Sequence, residues 1–298
     1  MTLSYHNGSL LPAEDLQLSL ADLGFIMGAT VSERLRTFAG QLFQLQQHME
    51  RLQQSLAMVG IDTPETIEDL TAAAEELARI NHQLLDPADD LGMYILVTPG
   101  LAGQAPRRPT VIIGTAPLEF SHWSDAYREG TALVASSYRQ VPASSWHPHI
   151  KCRSRMHYFL ADQEAERVQP GARALLLDQQ ENVGEVSTAN VVIYREREGL
   201  VSPRREGILA GISLDVLEEL AASLSIPFTE SDLSLSDLAA ADEVLLTSTS
   251  PCVWSVTGLD GRPIGDGRVG PRSGQLLAAW SALVGVDIAG QAGQFAGR

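Results

Sequence analysis

The sequence predicts two mixed α/β domains, residues 1–118 and residues 130–298, joined by a linker at 119–129. A chain of 298 residues exceeds what a single hydrophobic core usually serves. Apolar runs of strand length, bounded by Gly or Pro, alternate with longer runs whose apolar residues recur every three or four positions. That pattern lapses between residues 116 and 129, and resumes with a different texture.

In the first domain, after a short start, residues 29–38 form a strand-like stretch that ends at a turn, Ala39-Gly40. Leu45, Met49, Leu52, Leu56 and Val59 then mark one face of a helix that stops at Gly60. A second helix starts near Pro64, with Ile67, Leu70, Ala74, Leu77 and Ile80 on one face. Runs 93–98 and 110–115 are strands. The second domain opens with a strand at 131–136 and a loop rich in Pro, Ser and His at 141–154. From Arg155 the set Met156, Phe159 and Leu160 reads as a helix ended by Pro170-Gly171. Runs 174–178, 183–186 and 191–194 form a meander. A helix over 213–225 takes Ser213 as its cap and turns Leu214, Leu217, Leu220, Ala221 and Leu224 inward. The run 244–249 closes the regular part.

Composition narrows the function. Hydrophobic residues make up 44% of the chain, enough for a sizeable core, so disorder is excluded. With 37 acidic against 21 basic residues the net charge is −16, which repels nucleic acid and anionic membrane surfaces. Small substrates remain. No apolar run approaches a membrane span. Two cysteines cannot make a disulfide framework, and the first residues lack the basic-then-apolar pattern of a signal peptide. The expectation is a cytoplasmic protein.

Of the 21 basic residues, 20 are arginine and one, Lys151, is lysine. A lysine amine can lose its proton and attack a carbonyl, whereas arginine stays charged. Lys151 is therefore a candidate Schiff-base residue, set against a lone lysine left by composition on a solvated face. Other motifs carry less. Gly265 to Gly270 matches G-x-G-x-x-G, but no strand precedes it and too few residues follow for a βαβ unit. His147, His149 and Cys152 lack a nearby carboxylate to complete a metal site. There is no G-x-S-x-G elbow.

An ordered set of short motifs resembles a known family. It comprises Asn7-Gly8, Asp22-Leu23-Gly24-Phe25 with Gly28, Ser32-Glu33-Arg34-Leu35-Arg36, and His48 to Ser55. It continues with Ile150-Lys151, Gly184 to Asn190, Leu209 to Ser213, Ala241 to Val244, Thr247-Ser248-Thr249 and Ile264 to Gly267. These residues resemble the class IV aminotransferases, the fold-type IV pyridoxal-phosphate enzymes, over about residues 5–283. The family includes branched-chain and D-amino-acid aminotransferases and aminodeoxychorismate lyase.

The resemblance implies two α/β domains with pyridoxal 5'-phosphate between them, in a homodimer. Lys151 would form the aldimine and serve as proton carrier, and the substrates would be an amino acid and a 2-keto acid. Arg51, Gly211, Ile212, Ser213, Ser248 and Thr249 would hold the phosphate, while Glu185 with Asn190 would face the ring nitrogen. Departures fall around the substrate. Thr98-Pro99-Gly100 stands where many members have Thr-Arg-Gly; Ala29 to Ser32 replaces Asp-Gly-Val-Phe; Met156 replaces a tyrosine. Arg36, Arg107 or Arg108 would then read the substrate carboxylate. Two other readings stand beside transamination: a pyruvate-releasing lyase acting on aminodeoxychorismate, and a silent binding protein on the same scaffold.

Overall fold

The computed structural model describes residues 1–297. Its chain divides into two compact units, one of Met1–Leu118 with Ile150–Ser154, the other of Glu119–His149 with Arg155 onward. The segment 119–129 is thus no free linker: it carries a short helix, α4 (Ala126–Glu129), and the buried Phe120. The five residues around Lys151 belong with the first unit rather than the second.

In the first unit β1 (Leu3–His6) and β2 (Ser9–Pro12) form a hairpin where the sequence pattern shows only a short start. Its turn is Asn7-Gly8, both at positive φ (46° and 88°), the geometry a two-residue hairpin requires. After α1 (Leu23–Ile26) come β3 (Val31–Phe38), β4 (Gln41–Leu42), α2 (Leu45–Val59), α3 (Ile67–His82), β5 (Leu91–Thr98) and β6 (Thr110–Pro117). The strands form a sheet in the order β2-β1-β6-β5-β3-β4. Both predicted helices are present. Gly60 ends α2 in the left-handed conformation, and Thr66 with Asp69 closes a capping box on α3. Leu52, Leu70, Leu77, Met93, Ile95 and Ile113, all fully buried, fill the layer between helices and sheet.

The second unit holds β7 (Thr131–Arg139), α5 (Met156–Val168), β8 (Arg173–Leu177), β9 (Val183–Val186), β10 (Ala189–Arg195), β11 (Gly199–Ser202), α6 (Ile212–Ser223), β12 (Phe228–Glu230) and α7 (Leu235–Ala239). They are followed by β13 (Glu243–Ser248), β14 (Cys252–Leu259), β15 (Arg262–Pro263), α8 (Pro271–Val284) and α9 (Ile288–Phe295). The sheet runs β12-β11-β10-β13-β14-β7-β8-β9, and β9 pairs again with β10, so the strands close on themselves. Strand β10 makes this closure by changing partner along its length: Ala189 and Asn190 face β9, whereas Ile193 to Arg195 face β11. The meander of β8, β9 and β10 is as the sequence predicts.

Four expectations need correction here. Regular structure does not end at residue 249, since β14, α8 and α9 follow. Gly211, not Ser213, is the N-cap of α6, and Ser213 lies inside its first turn. On α5 the buried face is Ala161 and Ala165, while Met156 and Phe159 are exposed. The small alanines let α5 lie close on Val134 and Leu176 of the sheet, and so the large side chains turn outward. Strands do precede the glycine motif, β14 and β15, although the motif itself is a loop as expected, whose last residue caps α8, where the Glu243 carboxylate accepts from the Arg272 and Ser273 amides.

Candidate active site

In the first unit the segment around Lys151 extends the sheet beside β3. Val31 pairs antiparallel with Cys152, the Ser32 amide donates to the Lys151 carbonyl at 2.8 Å, and the Arg153 amide donates to the Thr30 carbonyl at 2.8 Å. The Lys151 amide donates in turn to Ser55 Oγ on α2 at 3.2 Å. Backbone bonds on both sides therefore fix the lysine's Cα, although it lies in an irregular stretch of sequence.

The face of α2 that holds this segment carries His48, Arg51 and Ser55, spaced i, i+3 and i+7. Opposite them on β3 stands Glu33, fully buried. Arg51 donates through Nε to Glu33 Oε1 and through NH2 to Oε2, both at 2.8 Å, in the parallel fork that suits a carboxylate. His48 Nδ1 lies 2.8 Å from Glu33 Oε2. A carboxylate can only accept, so Nδ1 carries the proton. Burial alone would raise the Glu33 carboxyl, but the Arg51 guanidinium and His48 hold it well below the usual carboxylate range. Burial pushes His48 down; Glu33 opposes that, and the charges of Arg51 and Lys151 add to it. His48 is neutral at pH 7.

The three arginines expected at the substrate differ in placement. Arg36 is fully buried: Nε donates to the Thr37 carbonyl at 3.0 Å, NH2 lies 3.7 Å from Asp90, and the guanidinium sits over the Phe38 ring. It is an internal charge of this domain, which corrects its expected role as a carboxylate reader. Arg107 and Arg108 are exposed, between β5 and β6. Pro99 precedes Gly100, whose φ of +82° brings its Cα against the Arg108 carbonyl, where no Cβ fits.

The second unit gathers the other expected residues at one end of its sheet. Glu185 on β9 accepts from Tyr158 Oη at 3.0 Å and from the Leu209 amide at 3.4 Å through Oε1, and from Asn190 Nδ2 at 3.3 Å through Oε2. Asn190 Nδ2 also donates to the Leu209 carbonyl at 3.2 Å. Its Oδ1 lies against Gly211, where a Cβ would collide with it. Gly211, Ile212 and Ser213 thus open α6 beside the Glu185–Asn190 hairpin, and no side chain caps that helix. Thr247 Oγ1 donates to the Ser213 carbonyl at 3.2 Å, and Ser248 Oγ to the Thr188 carbonyl at 2.6 Å. Thr249 follows, half-buried, in the turn between β13 and β14.

Tyr158, Gln140, Glu33 and His48 have no role predicted from the sequence. Glu33 and His48 leave a signal there: the one acid of a strand that also holds two arginines, and a histidine three residues before an arginine on one helix face. Tyr158 leaves none.

The donor set fits pyridoxal phosphate. Each unit supplies a part by itself: the first one amine, the second a carboxylate held by hydrogen-bond donors and a helix start free of a side-chain cap, suited to an anion, which are the groups that a pyridoxal-phosphate enzyme needs. Comparison with known proteins gives the same class. Residues 30–259 match the family described as amino-transferase class IV. D-alanine aminotransferase of Staphylococcus haemolyticus is 28% identical over 289 residues, covering 95% of this chain and 98% of its own. A branched-chain amino acid aminotransferase of T.th., solved with N-(5'-phosphopyridoxyl)-L-glutamate, superposes with a TM-score of 0.86 at 25% identity, covering 95% of this chain and 94% of its own. The branched-chain aminotransferase of Thermoproteus uzoniensis, solved with norvaline, gives a TM-score of 0.84 at 25% identity, covering 95% of each chain.

This chain belongs to the class IV aminotransferases. It is an enzyme that uses pyridoxal 5'-phosphate to move an amino group between an amino acid and a 2-keto acid, and the lyase and silent-protein readings give way to that. Among the described residues, no single helix is long and apolar enough to cross a membrane, and no cluster of three metal-ligating side chains occurs.

Proposed function

We propose that the chain transaminates an amino acid in the range spanned by D-alanine and the branched-chain amino acids, with Lys151 as amine and proton carrier. What carries this reading is Lys151 itself, the one lysine in 298 residues, held through its amide and carbonyl. When bound, the cofactor supplies an electron sink for the bond at the substrate's Cα. Glu185, an acceptor fixed by three donors, would keep the ring nitrogen protonated. Arg51 with the start of α6, Ser248 and Thr249 would hold the phosphate. Glu33 orients the Arg51 fork, and neutral His48 adds no second positive charge beside it. Arg107 and Arg108 are the arginines left to meet the substrate carboxylate.

The same reading takes the protein as a cytoplasmic homodimer. Exposed Phe25, Ile26 and Met27 support a second copy, and two free cysteines suit a reducing compartment. The test incubates the holoenzyme with single L- and D-amino acids plus 2-oxoglutarate or pyruvate and measures the 2-keto acid released. Release from alanine or a branched-chain amino acid of either hand supports the proposal. Release from none of them refutes it.

A further inference from the structure

The assigned residues leave a half-buried phenol unused. Tyr158 is set on the first turn of α5, and its hydroxyl stands between two partners. Gln140 Nε2 donates to it at 2.9 Å, and it donates to Glu185 Oε1 at 3.0 Å. Since Gln140 fills the acceptor side, the hydroxyl's single proton is directed at Glu185. Gln140 is itself held: its amide donates to the Leu177 carbonyl at 2.9 Å, and its own carbonyl accepts from Gln179 at 2.6 Å. The phenol ring is clamped as well, with the Arg155 guanidinium over it at 4.7 Å and the His157 ring at 4.1 Å. Two groups thus fix the ring, and Gln140 fixes the direction of its proton.

We propose that Tyr158 is a positioning residue that locks the Glu185 carboxylate in one orientation and keeps it an acceptor. This rests on the reading of Glu185 as the ring nitrogen's partner. Asn190 holds the other oxygen, so Tyr158 and Asn190 together stop the carboxylate from rotating about its last bond. A hydrogen bond given to the charged form favours that form, and the Tyr158 proton therefore keeps Glu185 from taking a proton of its own. Burial first, and then the Glu185 charge, push the phenol far above the usual range, so Tyr158 stays protonated and cannot reverse the polarity of the pair.

Tyr158→Phe keeps the ring and its packing and removes only the hydroxyl. In the holoenzyme kcat falls roughly ten- to 150-fold, the span expected when a charged group loses one hydrogen bond, while KM stays within about twofold. The pH midpoint of the cofactor's visible absorption moves upward, because a carboxylate that loses a donor holds a proton to higher pH. In Tyr158→Phe/Glu185→Gln the rate is no lower than in Glu185→Gln alone, since the phenol acts only through that carboxylate. A reading without cofactor is the tyrosinate absorbance of the apoprotein: Glu185→Gln lets one further tyrosine ionise at lower pH. An unmoved spectral midpoint in Tyr158→Phe, or additive losses in the double variant, would overturn the proposal. Normal turnover in Glu185→Gln would instead sink the reading of Glu185 beneath it.

Discussion

Replacing Glu33 with Gln removes one negative charge from the core of the first domain and leaves the shape almost unchanged. In the native fold three donors converge on this carboxylate at 2.8 Å each, two from Arg51 and one from His48. Glu33 is fully buried and Arg51 nearly so. An amide retains one acceptor and turns its NH2 toward the guanidinium, so the fork loses a bond and Arg51 loses its buried counter-ion. Removing one partner of a buried pair costs about 3–5 kcal/mol; the acceptor that Gln keeps lowers the expectation to about 2–4 kcal/mol. Urea unfolding of the cofactor-free protein, followed by far-UV circular dichroism, measures it without a binding contribution. The pH dependence carries a sign. Because the folded carboxyl sits below its unfolded value of about 4.3, its stabilisation is complete above that value and disappears as pH falls through the folded one. The gap between wild type and variant therefore holds from pH 8 to 5 and narrows in stronger acid. A gap under about 0.5 kcal/mol at pH 7 would refute the structural role assigned to Glu33.

Lys151→Ala removes the chain's one lysine, and the purified protein loses the yellow colour of bound cofactor; a retained visible band excludes Lys151. Arg51→Ala weakens cofactor binding by about 2–4 kcal/mol, as for a truncated charge-assisted pair, and unchanged affinity on titration removes Arg51 from the phosphate site. His48→Asn flattens the fall in stability between pH 7 and 5: the folded chain keeps His48 uncharged while the unfolded chain takes up a proton below about 6.5, and an identical fall in wild type and variant rejects this. Gly211→Ala drives a methyl group into Asn190 Oδ1 and costs about 1–3 kcal/mol in thermal unfolding, with weaker cofactor affinity; a neutral result means that Asn190 can swing away freely.

Local rules of the chain by itself determined the two helices of the first domain, the meander, and Lys151. Period and capping are written in neighbouring residues, as at Leu45 to Gly60, and a single lysine needs no fold to be noticed. Ordered short motifs were enough to suggest the family. The closed sheet was not legible, because β10 pairs with β9, β11 and β13, and strand partners far apart in sequence leave no mark on each other's pattern. The same holds for α5, whose apolar period was visible while the identity of its buried face was settled by how closely the alanines pack. Arg36 and Arg51 show the limit most clearly. Both are arginines in family motifs, and only the tertiary structure gives each its buried carboxylate partner, Asp90 beside Arg36 and Glu33 beside Arg51. Charges choose partners by distance and burial, which sequence spacing does not encode across strands and helices.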